Sequence, residues 1–391
     1  MNYTRAFIVG GLVSALPLWA VYAPIPAQEQ GQAFTVSVRA GLSHDSNIFG
    51  AKNGEISSTV FTFAPRLAFN ASLDAQTFLS ASYALTVDNF SDRPGDKTLD
   101  SHALSARLAH AFSPATTIDV RDDYLIAKNP ESLLSGLTLN SDQSFKRNEF
   151  DGKFETSLAA QTSSAVKFRS INYSYDSASL GASLDRTENL FGLSGRFDAA
   201  PETKAVAEYR HEVIQYRTAG ANKDKNSNFL LGGVDYVVAK EVTATARLGY
   251  EWRKRDLERD LNSPYVELTV RYDYGDRAFL SAGYLCDIEE SSNPAFYTDT
   301  KVNRFFINVQ QPFSALIVGS GSITYEPSEL QGRIGHANAS EDTTRFGLAL
   351  SYLPSKNWVL SANYDVDSVS SDDISRGLHR VRTGVSAVYS F

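Results

Sequence analysis

The sequence predicts an all-β, transmembrane, antiparallel up-and-down barrel of about 18 strands, with short periplasmic turns and long extracellular loops. Three observations support this fold class. Apolar and polar side chains alternate in stretches of about ten residues from residue 33 onward. The connections between these stretches alternate between short and long. The mean hydropathy is −0.25, and past residue 30 no apolar run approaches the roughly 20 residues of a membrane-spanning helix.

The alternation gives each predicted strand two different faces. In residues 242–253, Leu248, Tyr250 and Trp252 share one face, whereas Arg247 and Glu251 lie on the other. The same period of two recurs in residues 33–43, 266–274 and 380–391. Helical spacing is nearly absent, so the pattern indicates strands throughout.

The connections set the number of strands. Short turns are predicted at 74–76, 113–115, 160–163, 198–202, 239–241, 275–277, 311–314 and 353–356. Long polar loops are predicted at 44–57, 88–100, 127–146, 176–186, 217–227, 254–263, 287–301, 326–342 and 367–378. Nine long loops and eight short turns require about 18 strands, with both chain ends on the short-turn side. Loop 127–146 is the longest and is the candidate for narrowing the lumen, although an extended hairpin above the membrane fits it equally well.

The polar faces favour a membrane barrel over a soluble sandwich or propeller, whose apolar faces would pack into a core. Charged residues at mid-strand positions suit an aqueous interior. The candidate lumen-lining residues are Arg39, Arg107, Arg121, Glu155, Arg196, Glu208, Arg210, Glu212, Arg247, Glu251, Arg271 and Arg304. Aromatic residues near the strand ends of the apolar face predict girdles at the lipid headgroups, at Tyr83, Tyr124, Tyr173, Tyr175, Tyr250, Trp252, Tyr272, Tyr274, Tyr284, Tyr325 and Tyr364.

The signs of the lumen charges are mixed. A ring of one sign would predict ion selection, whereas interleaved runs such as Glu208, Arg210 and Glu212 predict paired walls that neutralise each other. Such walls, with aromatic faces, suit neutral sugars. For any single pair, a structural cross-strand ion pair is the simpler interpretation.

Composition and the first residues indicate export. The net charge of −8 is unlike the basic face of a nucleic-acid binder. Residues 1–5 give a short basic start through Arg5, residues 6–23 are almost wholly apolar, and residues 24–27 form a small-residue cleavage site. We therefore predict a signal peptide at 1–27 and a single outer-membrane barrel at 28–391. A membrane anchor is the alternative reading of the first segment.

Two stretches resemble known proteins. Tyr389-Ser390-Phe391 resembles the closing strand of bacterial outer-membrane barrels, in which the terminal Phe belongs to the assembly signal. Residues 41–49 and 63–68 resemble the opening hairpin of the outer-membrane β-barrel porin family encoded beside exopolysaccharide-synthesis genes. The resemblance implies a pore in the outer membrane of a Gram-negative bacterium that serves as an exit for exopolysaccharide. Its implied partners are outer-membrane lipid, lipopolysaccharide, the barrel-assembly machinery, polysaccharide and periplasmic export components.

No catalytic, cofactor or metal site is predicted. The histidines are scattered and lie in no nucleophile or zinc motif. Asp122 and Asp123 are adjacent in a predicted strand, so their carboxylates point to opposite faces. We therefore predict a channel rather than an enzyme, with passage or export of exopolysaccharide as its preferred function. The alternatives are a general diffusion porin, a structural or adhesive barrel with a blocked lumen and, with least support, a barrel hydrolase.

Overall fold

The computed structural model describes residues 33–128, 144–218, 223–256, 258–291, 293 and 295–391. The elements within these ranges are β1 (Phe34–Asp45), β2 (Ser58–Ser72), β3 (Thr77–Phe90), β4 (Thr98–Ser113), β5 (Thr116–Ala127), β6 (Phe145–Ala159), β7 (Thr162–Tyr175), α1 (Ala178–Leu184), β8 (Arg186–Ala200), β9 (Thr203–Tyr216), β10 (Lys225–Ala239), β11 (Val242–Arg255), β12 (Leu261–Gly275), β13 (Ala278–Glu290), β14 (Tyr297–Pro312), β15 (Ile317–Gly332), β16 (Ala339–Tyr352), β17 (Trp358–Ser371) and β18 (Leu378–Ser390). No helix in the described residues has the length and apolarity to cross a membrane.

The strands form one closed sheet. Each strand pairs antiparallel with the next, and β1 pairs with β18, which closes the 18-stranded barrel. The predicted fold class and strand number are confirmed. The short turns follow the even-numbered strands, and the backbone N–H of Phe391 donates to the carbonyl of Val36 at 2.9 Å. The last residue and the first strand therefore meet at the short-turn end.

The outer connections are shorter than the predicted loops because the strands continue into them. The predicted loop 287–301 contains the ends of β13 and β14, and the predicted loop 326–342 contains the ends of β15 and β16. Both faces of these strand ends carry polar residues, which hides the alternation, but backbone pairing does not depend on it. The predicted signal peptide 1–27 and most of loop 127–146 lie outside the described residues.

The outer face of the barrel is apolar and exposed. Leu230, Leu248 and Val385 are 60%, 54% and 60% exposed, and other large apolar side chains continue this surface around the barrel. An exposed apolar surface of this extent matches hydrocarbon rather than water. Polar side chains at the alternate positions face the lumen.

Two of the predicted girdle residues face the lumen instead. Val166 and Phe168 occupy the outer face of β7, so Tyr173 and Tyr175 point inward. The guanidinium carbon of Arg186 lies 4.3 Å from the centre of the Tyr173 ring. The predicted outward orientation of these two tyrosines was wrong because the apolar residues of β7 change face along the strand. They lie on the outer face in its first half and on the inner face in its second half. Periodicity alone does not tell which half contacts lipid.

Three prolines lie where a strand loses one partner. Pro65 and Pro327 pair with β1 and β16, respectively, but the ladders on their other sides skip them. Pro264 pairs with Tyr250 of β11, while the β12–β13 ladder ends at Val266 opposite Cys286. Proline has no N–H to donate to a ladder, so each proline explains the gap beside it.

Residues 41–49, which carry the family resemblance, help to close the barrel. The Asp45 carboxylate accepts two hydrogen bonds at 3.0 Å from Nε of Arg380 on β18, and a further one from Nη2. The Asn47 side chain is fully buried and donates to the carbonyls of Ala51, at 2.7 Å, and His379, at 3.2 Å. These contacts tie the β1–β2 loop to the last strand, which gives the motif a structural role.

Candidate functional site: a lumen narrowed by one hairpin

The twelve predicted lumen residues all lie on the inner face. Most occupy the position alternate to an exposed apolar neighbour: Arg247 lies beside Leu248, Arg196 beside Phe197 and Glu155 beside Phe154. Arg121 and Glu212 face inward by the alternation along their strands. Several are paired within the barrel wall. Arg107 bonds Asp119 at 2.6 Å, and other pairs are Arg196 with Glu155, Arg210 with Glu208, Arg247 with Asp235, and Arg304 with Glu289 and Glu326. The mixed signs therefore neutralise one another locally.

The half of the lumen nearer the short turns is open to water. The side chains of Arg121 and Arg271 are 55% and 46% exposed although they face inward, and they pair with Asp123 and Asp273 on their own strands. Arg66 on β2 is also exposed and faces inward. Exposure on the inner face of a closed barrel requires space beside these side chains. The lumen is therefore not filled at this level.

The inner wall differs between its two halves. From β5 to β14 charged pairs are frequent. From β15 through β18 to β4 many inner positions are small, at Ser80, Ser82, Ser320, Ser322 and Ser386, although Arg380 pairs with Asp45 and Arg382 with Asp367 in this half. On the small-residue wall, Arg39, Arg66 and Arg345 have no ion pair among the described residues. Nε of Arg39 and of Arg345 is also without a hydrogen-bond partner there. These arginines lie on β1, β2 and β16, within five adjacent strands.

One hairpin leaves the wall and enters the lumen. Beyond Val266 and Cys286, the outer end of β12 pairs only with β11, and the outer end of β13 pairs only with β14. Tyr284 and Phe305 face outward. Counting every second residue from them places Glu290 and Asp299 on the outer face of this hairpin. Both carboxylates nevertheless contact side chains from the inner faces of β9, β10 and β11. The outer arms of β13 and β14 therefore overlap their neighbours on the lumen side.

A cluster of charges holds the hairpin arms in this position. Nζ of Lys225 lies 2.7 Å from Glu290 and 3.0 Å from Asp299. The Nη1 atom of Arg253 donates to both carboxylates, at 3.1 and 2.9 Å, and that of Arg255 donates to Asp299 at 2.9 Å. The Tyr216 hydroxyl also donates to Glu290, at 2.5 Å. We call this cluster the clamp, and it consists of Tyr216, Lys225, Arg253, Arg255, Glu290 and Asp299.

The span of the clamp shows how far the hairpin is displaced. Tyr216 on β9 and Glu290 on β13 are four strands apart, about 19 Å along a sheet with a strand spacing of about 4.8 Å. Side chains on a gently curved wall would not meet across that distance. Behind the arms, Phe229, Leu231, Tyr265 and Leu285 form a buried apolar cluster within the otherwise polar lumen. The overlap thus constricts the outer half of the channel on this side.

Outer loops meet around the displaced hairpin. Glu258, in the β11–β12 loop, accepts hydrogen bonds from Nε of Arg333 and the backbone N–H of Ile334 in the β15–β16 loop, both at 3.1 Å. The Tyr297 hydroxyl of β14 donates to Asp373 in the β17–β18 loop at 2.9 Å. In the β9–β10 loop, burial lowers the pKa of Lys223, and the positive charges of Arg333 and Lys225 lower it further. Cations therefore crowd this part of the mouth.

No local pattern in the sequence predicts the clamp. Lys225, Arg255, Glu290 and Asp299 all fall in predicted loops, and no spacing links residues that are 65 or 74 positions apart. Predicted lumen residues Glu212 and Glu251 do contact the clamp through Arg253, at 3.3 and 2.8 Å. Among the described residues, no group of three or more His, Cys, Asp or Glu side chains is arranged to hold a metal ion.

Comparison with known proteins identifies the fold. No protein-family model and no curated protein matches the chain. Among solved structures, the outer membrane protein OpdK from Pseudomonas aeruginosa is 10% identical with a TM-score of 0.52, and 92% of this chain covers 99% of that one. A BenF-like porin from Pseudomonas fluorescens Pf-5 is 10% identical with a TM-score of 0.51, at 92% and 99% coverage. OccK2 (OpdF) from P. aeruginosa is 11% identical with a TM-score of 0.50, at 92% and 98% coverage. At such identities the likeness shows the fold, and the fold of this chain is the closed antiparallel barrel of these porins.

Proposed function

We propose that the protein is an outer-membrane channel through which small polar solutes diffuse passively. The observation that carries this proposal is one closed barrel with an exposed apolar outer face and a charged, partly water-exposed inner face. Such a barrel leaves no backbone edge in the hydrocarbon and presents a polar lumen to solutes. Barrels of 16 to 18 strands leave room for an aqueous channel. The likeness to porins supports the same function and location.

Conductance in planar bilayers tests the channel. We expect stepwise, steady currents from purified, heat-modifiable protein. Folded protein that inserts but carries no current would contradict the proposal and favour a structural or adhesive barrel with a blocked lumen. The expected partners of the protein, which are outer-membrane lipid, lipopolysaccharide and the barrel-assembly machinery, remain predictions.

We further propose that the channel favours anions. Arg39, Arg66 and Arg345 contribute positive charge to the small-residue wall and make no ion pair among the described residues, although Arg345 lies opposite Asp367 in the ladder and acts electrostatically on Glu326. The opposite wall carries paired charges such as Arg247 with Asp235. Unpaired arginines that line a pore attract anions and repel cations.

The reversal potential in a potassium chloride gradient measures this selectivity. The triple variant Arg39→Gln, Arg66→Gln and Arg345→Gln is expected to shift the potential toward cation preference. As the matched control, Arg107→Gln with Asp119→Asn removes a neutral pair from the wall and leaves the potential unchanged. An unaltered potential in the triple variant would rule out these arginines as the source of selectivity.

Export of exopolysaccharide has less support than general diffusion. The motif that carries the resemblance closes the barrel through Asp45 and Asn47, and the hairpin narrows the lumen, which suits small solutes better than a polymer. We expect that deletion of the gene leaves surface polysaccharide unchanged. Accumulation of polymer in the periplasm would instead support the exporter.

A further inference from the structure

The ladder between β12 and β13 could continue past the point where the two strands separate. Continuing the register of Val266 opposite Cys286 by two and four residues would place Ile288 opposite Pro264 and Glu290 opposite Asn262. Ile288 would then share the outer face with Tyr284, beside the exposed Pro264. In this register Pro264 and Ile288 would meet on the outer face of the wall, and Asn262 and Glu290 would lie beyond them toward the outer rim.

We propose that the β13–β14 hairpin is a gate with two seats. In the inner seat, which the structure shows, its arms bind the clamp and narrow the lumen. In the wall seat, Asp287–Glu290 would pair with β12 in the continued register and leave the lumen wider. The inference rests on the proposed channel function, because a gate matters only where solutes pass.

The clamp favours the inner seat. Lys225, Arg253 and Asp299 are buried, and each carboxylate of the hairpin contacts at least two cations. Removing one side of such a buried cluster leaves uncompensated charge, which is strongly unfavourable. Loss of the two carboxylates would therefore leave Lys225 and Arg255 without a counter-ion beside Arg253 and release the hairpin from its inner seat.

Pro264 disfavours the wall seat. Its carbonyl faces β13, because the thiol of Cys286 lies 3.5 Å from that oxygen. In a strand, the N–H and C=O of one residue point to the same side, so the missing N–H of Pro264 also faces β13. Pairing in the wall would leave the Ile288 carbonyl without this donor. The missing N–H of Pro264 and the clamp therefore both favour the inner seat.

Single-channel recording tests the gate. The double variant Glu290→Gln with Asp299→Asn is expected to raise the conductance about twofold or more, since a constricting element leaves the lumen. Arg107→Gln with Asp119→Asn, which removes a neutral ion pair from the wall remote from the hairpin, is the matched control and should conduct like the unaltered protein. A double variant that conducts like the unaltered protein would overturn the gate.

Disulfide trapping tests the wall seat without a current. In a Cys286→Ser background, Asn262→Cys with Glu290→Cys is expected to crosslink on oxidation, which electrophoretic mobility detects. Val266→Cys beside the native Cys286 serves as the positive control, because these residues already face each other in the ladder. Crosslinking in the control but not at 262–290 would overturn the wall seat. The two proposals can fail separately. If residues 262 and 290 crosslink but neither the variants nor the unaltered protein carries current, the hairpin moves but the protein is not a channel.

Discussion

Asparagine in place of Asp45 is expected to destabilise the barrel strongly. The Asp45 and Arg380 side chains are only 7% and 5% exposed, and the carboxylate accepts three hydrogen bonds from the guanidinium. Asp45→Asn keeps the shape of the side chain but removes its charge, so the buried guanidinium loses its counter-ion. Breaking one side of a buried pair costs about 3–5 kcal/mol, which corresponds to a change of about 150- to 4,000-fold in the unfolding equilibrium.

Urea titration in phospholipid vesicles measures this loss, with the fluorescence of Trp252 and Trp358 reporting unfolding. Asp198→Asn is the matched control, because its pair with Lys204 spans 3.8 Å and both side chains are about half exposed. An exposed pair contributes about 1 kcal/mol or less. If the two variants unfold at the same urea concentration, the reasoning about closure through Asp45 is refuted.

Three further outcomes are expected. Gly233→Ala should destabilise the barrel by about 1–3 kcal/mol, because its new Cβ would lie 2.1 Å from a carbonyl oxygen, whereas Gly232→Ala meets nothing within 4 Å and should be neutral in the same urea titration. Phe391→Ala should leave unfolding nearly unchanged, since the ring is 70% exposed, but should lower the amount of folded protein in cell membranes if the ring belongs to an assembly signal; equal amounts would contradict that role. Protein purified from outer membranes should begin at Gln28 by mass spectrometry, and retention of residues 1–27 would contradict the predicted cleavage.

The barrel could be predicted from the sequence because its rules are local. Alternation along Leu248, Tyr250 and Trp252 needs only neighbouring residues, and short turns separate the strands at regular intervals. The constriction could not be predicted in this way. It depends on pairing that stops at Val266 and on charges such as Lys225 that meet residues far away in the chain.

The prediction also failed where both faces of a strand carry similar residues. In β7, the apolar positions change face between Phe168 and Ile171, which reversed the expected orientation of Tyr173. In β13, acidic residues on both faces made a strand end look like a loop. In each case the tertiary environment, rather than the local pattern, determines which side contacts lipid, lumen or hairpin.

The joining of β1 to β18 has a consequence for how the barrel folds. Among the described strands, every other interface joins consecutive strands, whereas Asp45 and Arg380 are 335 positions apart. Closing a flexible loop of that length costs about 5 kcal/mol of chain entropy, and contacts so distant in sequence form slowly. Until they form, the sheet has two unpaired edges that can pair with other chains. We expect the open sheet to be the longest-lived intermediate and the species most prone to aggregate, with Tyr389 and Phe391 on one of its free edges.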